Sequence, residues 1–179
     1  MTVHGILVPN QIAATNVDAW NRSAVSATAV DNGNVVILST YGAATGNSEV
    51  WTAIAPSTSN GLTGVWMVYD PELVWTSSYR GLDPDVRNFY VGANKVFSIF
   101  HPQIHDIITL STNAIATGTG AASTHINCTD ASGLQLEWAN SIGSSVFAAK
   151  YLKTTYFSIG TGAMDTQRIV AYEFEVVAL

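Results

Sequence analysis

Charge is scarce in this chain. Of its 179 residues, 11% are Asp, Glu, Lys or Arg, against roughly 25% in an ordinary soluble protein. Lys and Arg number 7 and Asp and Glu 13, for a formal net charge of -6. So few basic residues on an acidic chain cannot build a phosphate-neutralising stripe, which argues against nucleic-acid binding as the main task. A basic membrane-surface helix is excluded for the same reason. Cysteine is nearly absent too. Cys128 stands alone, so the chain forms no internal disulfide and no thiolate zinc site. No stretch approaches the roughly 18 apolar residues of a membrane-spanning helix. The first residues, Met1 to Pro9, lack a basic region ahead of a long apolar run and do not read as a signal peptide. The expectation is a soluble product made in the cytosol, or one that leaves the cell by a route not written in a leader, with no membrane partner.

What is present is a core. Hydrophobic residues make up 47% of the chain, which excludes general disorder. The length suits one ordinary domain or two small ones. Ser, Thr, Ala, Gly and Asn fill the places that charges leave. Such a surface is polar but gains little from charge repulsion against neighbours.

The periodicity is that of strands. In Arg168 to Leu179, Val170, Tyr172, Phe174 and Val176 point one way, and Ala171, Glu173 and Glu175 the other. Strict alternation predicts one buried face and one wet face. Leu134, Leu136 and Trp138 alternate with Gln135 and Glu137 in the same manner. Val35-Val36-Ile37-Leu38 follows the turn signal Asp31-Asn32-Gly33 and reads as a strand buried on both faces. Further runs are 50–54, 65–69, 95–100, 107–110, 124–129, 146–152 and 155–159. Turn signals such as Asn60-Gly61, Ser132-Gly133 and Gly160-Thr161-Gly162 separate them. Short strands at such spacing predict an all-β fold, an antiparallel β-sandwich or β-barrel with long loops and at most short helices. The helix candidates are Thr15 to Ser23 and a turn near Asp83 to Asn88, with Asp83 as N-cap and Pro84 at the first helical position.

Residues 1–24 differ from the rest and read as an N-terminal arm or edge segment, ahead of a β domain over 25–179 with a soft subdivision near 111–122. An arm would dock on another subunit through Val3, Ile6, Leu7 and Trp20, and its removal would leave the β core folded.

Reactive constellations are weak. His101-Pro102-Gln103-Ile104-His105-Asp106 places two imidazoles four residues apart, but Pro102 opposes a regular strand and no second cluster supplies further ligands. A turn into the Ile107 strand is the expectation. No G-x-S-x-G elbow is present, and Cys128 reads as a small buried hydrophobe. Glu173 and Glu175 read as solvating a terminal strand rather than as a hydrolytic pair. Gly118 and Gly160 lack the third glycine and the helix of a phosphate loop. Asp83-Pro84-Asp85 is too short to define a calcium loop. Asn21-Arg22-Ser23 and Asn127-Cys128-Thr129 match the glycosylation sequon, with no leader to bring them to a secretory lumen. Trp51, Trp66 and Trp138 lie in apolar strands and read as core or interface. Trp20 and Trp75 lie in less regular stretches and read as exposed contacts to sugar or protein.

The order of features then matters. An Asn-Gly turn leads into Val35-Val36-Ile37-Leu38, followed by Glu49-Val50-Trp51-Thr52-Ala53, Val65-Trp66-Met67-Val68 and Tyr69-Asp70-Pro71-Glu72. Next come Asn88-Phe89-Tyr90, Lys95 to Phe100, a turn at His105-Asp106 into Ile107 to Leu110, and the closing run Arg168 to Val177. This order resembles the capsid decoration (cement or auxiliary head) proteins of tailed bacteriophages, across roughly Asp31 to Val177. The resemblance implies an all-β virion protein on the outer face of an icosahedral shell, made in the host cytoplasm. It implies the major capsid protein as partner, self-association as a possible trimer, no catalysis and no cofactor. The contact residues expected on that basis are Val3, Ile6, Leu7, Val8, Trp20, Arg22, Trp75 and Tyr79. The alternatives are another phage particle component, such as a tail or head-fibre base, and a carbohydrate-binding β-module.

Overall fold

A computed structural model of the chain describes residues 4–8, 11–14, 21–42, 49–57, 64–71, 75–76, 81–82, 85–116, 123–128, 133–143, 145–162 and 165–179. The fold is all-β. The strands are β1 (Asn21–Ser26), β2 (Val35–Tyr41), β3 (Trp51–Ile54), β4 (Val65–Val68), β5 (Trp75–Thr76), β6 (Gly81–Leu82), β7 (Val96–Phe100), β8 (Ile107–Ser111), β9 (Ile115–Ala116), β10 (His125–Asn127), β11 (Leu136–Ala139), β12 (Ala148–Gly162) and β13 (Asp165–Ala178). Five of them close a barrel in the order β1-β3-β2-β4-β7. Six form a sheet in the order β8-β13-β12-β10-β11-β9, and β5 pairs with β6 alone. The β1–β3 and β9–β11 pairs are parallel, and the other pairs are antiparallel.

The continuous apolar runs are explained by what lies on each side of the barrel wall. Trp66 and Val68 of β4 face the barrel interior with Ala24, Val36, Ala53, Phe97 and Ile99. Val65 and Met67, one residue out of phase, join the second cluster instead. There they meet Val35 and Phe100 from the barrel and Ile108, Leu110, Ile126, Leu136, Phe174 and Val176 from the sheet. A strand with both faces buried has no wet positions to alternate with. The chain crosses from barrel to sheet over His101–Asp106, where Gln103 N donates to Asp106 Oδ2 and His105 adopts a left-handed φ of 76°. This segment is a turn, as its proline predicts. At the start of β2, Gly33 stands at φ 87°, and a side chain there would lie 2.7 Å from Leu110 Cδ2. Beside it, Asn32 clamps the next loop, donating to Asp70 O and accepting from Asp70 N.

Of the two readings of the N-terminal region, the described residues fit the edge segment, and the docking arm with a core that folds without it is corrected. Ile6, Leu7 and Val8 are almost wholly buried in the chain's own core. Leu7 bridges Leu110, Val8 N donates to Thr109 O, and Ser111 N donates to Ile6 O. Ala13 and Ile107 exchange two further backbone hydrogen bonds. The segment thus covers the outer edge of β8, where unpaired backbone groups invite pairing. Gly5 lies so close that an added Cβ would meet Ala114 Cα at 2.9 Å. His4 secures the start: its ring donates to Asp31 Oδ1 at 2.9 Å and stacks on Tyr90. Residues 21–24 belong to barrel strand β1, so removal of residues 1–24 strips part of both cores.

Two other expectations change for related reasons. The helix reading of Thr15 to Ser23 is overturned at Asn21–Ser23, which pair with β7; 15–20 lie outside the described residues. On β13, Ala171 falls on the side expected to be wet, yet it is fully buried against Ile6 and Val8. The single 3-10 turn among residues 85–89 spans Val86–Asn88. Its cap is Asp85, whose side chain accepts from Arg87 N; Asp83 and Pro84 lie outside the described residues.

Candidate functional site

Alternation along three barrel strands brings aromatic and cationic groups to one mouth. Arg22 lies two residues before inward-facing Ala24, Trp51 two before Ala53, and Trp66 two before Val68. The exposed Arg22 side chain carries its guanidinium 5.1 Å from the Trp51 ring centre and 4.9 Å from that of Trp66. Tyr41, 54% exposed, leans on Trp51 with ring centres 5.1 Å apart. His101 meets Trp66 edge-on at 5.0 Å, and Gln103 Nε2 lies 3.0 Å from His101 Nδ1. Burial pushes the His101 ring below its ordinary pKa, and the Arg22 charge pushes the same way against a raising backbone hydrogen bond. His101 is thus held neutral beside a cation. The Arg22 side chain has no hydrogen-bond or ion-pair partner among the described residues.

The second surface is a two-stranded ribbon. Among the described residues β10 pairs with β12 only over 148–150, and β8 with β13 only over 171–175. Beyond these limits β12 and β13 pair with each other out to Gly162 and Asp165. Paired residues share a face. Phe157 packs inward with Ile6, Val8, Ala171 and Val86, and its partner is Ile169. Tyr156 with Val170 and Ser158 with Arg168 occupy the outer face. Tyr156 is 44% exposed, and Arg168 lays its guanidinium 3.8 Å from the Tyr156 ring centre. Lys153 pairs with Glu173 at 3.4 Å. Toward the sheet, Trp138, Tyr151, Tyr172 and Phe174 form a half-buried aromatic cluster with ring centres 5.3–6.4 Å apart.

The sequence-expected contact residues scatter. Arg22 is at the barrel mouth and exposed, whereas Ile6, Leu7 and Val8 are core. Those three are unavailable for contact in the folded chain, because the segment fills the edge of its own sheet. Trp75 pairs through its backbone with Leu82. Val3, Trp20 and Tyr79 lie outside the described residues. Trp51 and Trp66, read from their apolar surroundings as core or interface, flank Arg22. Sequence reasoning missed Tyr156 and Arg168. Their signal was available only as alternation continuing through Thr155 to Ile159 in a strand that runs beyond its neighbours.

Two further titratable pairs lie apart from these surfaces. His105 Nδ1 donates to Glu175 Oε1 at 2.8 Å. Asp85 holds Arg87 through both carboxylate oxygens, and that hydrogen bonding keeps its carboxyl below the ordinary value despite burial. His101 and His105 therefore point to different partners. No group of three His, Cys, Asp or Glu side chains suited to a metal ion occurs among the described residues. Cys128 is buried, as expected of a small hydrophobe. Asn127 of the second sequon is buried and donates to Ser141 O and Ile142 O, so its amide nitrogen is taken in the fold. No protein-family model matches the sequence, and neither a curated protein nor a solved structure is significantly similar to it.

Proposed function

We propose that this chain is a structural protein of a virus particle, decorating the outer face of an icosahedral phage capsid through protein–protein contacts between capsomers. The order of strands and turns in the sequence suggests the capsid. The observation that carries the contact role is the ribbon of β12 and β13. Among the described residues it extends beyond both flanking strands and carries Tyr156 and Arg168 stacked together on an exposed face. Rigid aromatic and arginine side chains are the groups most often found at the energetic centre of interfaces. A decoration protein repeats the same modest contact at symmetric positions, and self-association as a trimer multiplies it by avidity. The major capsid protein is the partner in this reading, and the location is the virion surface.

A carbohydrate-binding module needs free aromatic faces for pyranose stacking. At the barrel mouth the faces of Trp51 and Trp66 turned toward Arg22 are occupied by its guanidinium, which weighs against that reading. Co-sedimentation with assembled, emptied shells tests the proposal. Saturable loading at many sites per shell is expected. Loading confined to a single vertex would indicate a tail or head-fibre component, and no loading contradicts a role on the shell.

A further inference from the structure

The barrel mouth carries a feature that bears on what this protein recognises. Three arginines have described side chains. Arg87 is neutralised by Asp85, and Arg168 lies over Tyr156. Arg22 is different. Its guanidinium carbon lies over two indoles at 5.1 and 4.9 Å, its side chain is exposed, and no carboxylate or carbonyl meets its N–H groups among the described residues. A guanidinium presents five donors in a fixed fork that matches a carboxylate in two parallel hydrogen bonds. Stacking restricts the side chain before a ligand arrives, so less rotamer freedom is lost on binding. The neutral His101 and the amide of Gln103 stand beside it, with the half-exposed Tyr41 against Trp51.

From this geometry we infer that the Arg22 mouth is a carboxylate socket, and that its occupant is an acidic side chain of the partner protein. The socket favours a slim Asp or Glu over an acidic sugar, because Arg22 already lies over both rings that a pyranose would stack on. The identity of the partner rests on the shell-decoration reading; the socket itself does not.

Two measurements separate these. Tryptophan fluorescence of the purified protein is titrated at low salt with N-acetylglutamate α-amide and with its uncharged glutamine counterpart. A saturable change with the first and none with the second is expected. Binding should weaken roughly tenfold in R22Q, which loses the charge-assisted pair, and less in R22K, which keeps charge without the fork. Equal responses to both probes, or an unchanged response in R22Q with its thermal transition intact, would overturn the socket. Glucuronate saturating at clearly lower concentration than the glutamate probe would overturn the protein side chain as its ligand. On emptied shells, R22Q should load more weakly than the parent chain, and equal loading with the same salt dependence overturns the partner assignment. A parent chain that does not load at all overturns the decoration reading, while the titration alone decides the socket.

Discussion

Replacing Leu7 with Ala separates an integral N-terminal segment from a detachable arm. Leu7 is fully buried, and it packs in the cluster that joins the barrel to the sheet. The substitution removes most of the side chain's transfer free energy and leaves a cavity, together about 2–5 kcal/mol. Collapse into that cavity is hindered on both sides. The Gly5 backbone packs so closely on Ala114, and the Gly33 turn on Leu110, that neither leaves room for even a Cβ. The upper half of the range, about 3–5 kcal/mol, is therefore expected. At a chain of this size each kcal/mol lowers the thermal midpoint by about 2–4 °C, so the drop should be roughly 6–20 °C. Guanidinium unfolding followed by tryptophan fluorescence gives the free energy, and the midpoint should fall with the slope unchanged. An arm resting on another subunit would lose no more than about 0.5 kcal/mol in the isolated protein. A measured loss below about 1 kcal/mol would refute the packing argument.

Three further outcomes follow from the same geometry. Gly33→Ala must hold a side chain at a left-handed φ and against Leu110, and calorimetry should find it less stable by at least about 1–3 kcal/mol. Stability should fall with acid in two windows. His101 has a lowered pKa in the fold, so its contribution is complete above the unfolded value of about 6.5 and declines as pH falls through the folded one. Asp85 is lowered by Arg87, so its contribution persists above about pH 4 and is lost below it. Denaturant midpoints measured from pH 8 to pH 3 should show both, and His101→Gln should flatten the first. Tyr156→Ala and Arg168→Ala alter an exposed stack, so each should change stability by no more than about 0.5 kcal/mol. Their loading on shells should drop, and unimpaired loading of the double variant removes the ribbon from the contact.

Much of the fold was readable because burial imprints period two on the chain. Tyr172, Phe174 and Val176 follow it, and the unbroken apolar runs of β2 and β4 mark strands between two cores. What the sequence could not reveal depends on distant residues meeting. Nothing near Ala171 announces that Ile6 and Val8 will cover it. An apolar start before Pro9 looks alike whether it fills its own sheet edge or another subunit's, since both bury the same side chains. Trp51 and Trp66 read as core or interface because they sit in apolar strands, and Trp66 is indeed buried in the barrel core. Their role at the mouth arises only when β1, β3 and β4 close round Arg22.

The central claim is that this protein acts through the shape and chemistry of its surface, in many copies on a shell. Quantitative mass measurement of purified particles tests it most directly. The account predicts copies in fixed proportion to the major capsid protein, lost together when shells are stripped and regained on adding the purified chain. Particles that carry a mere handful of copies, or none, would contradict it.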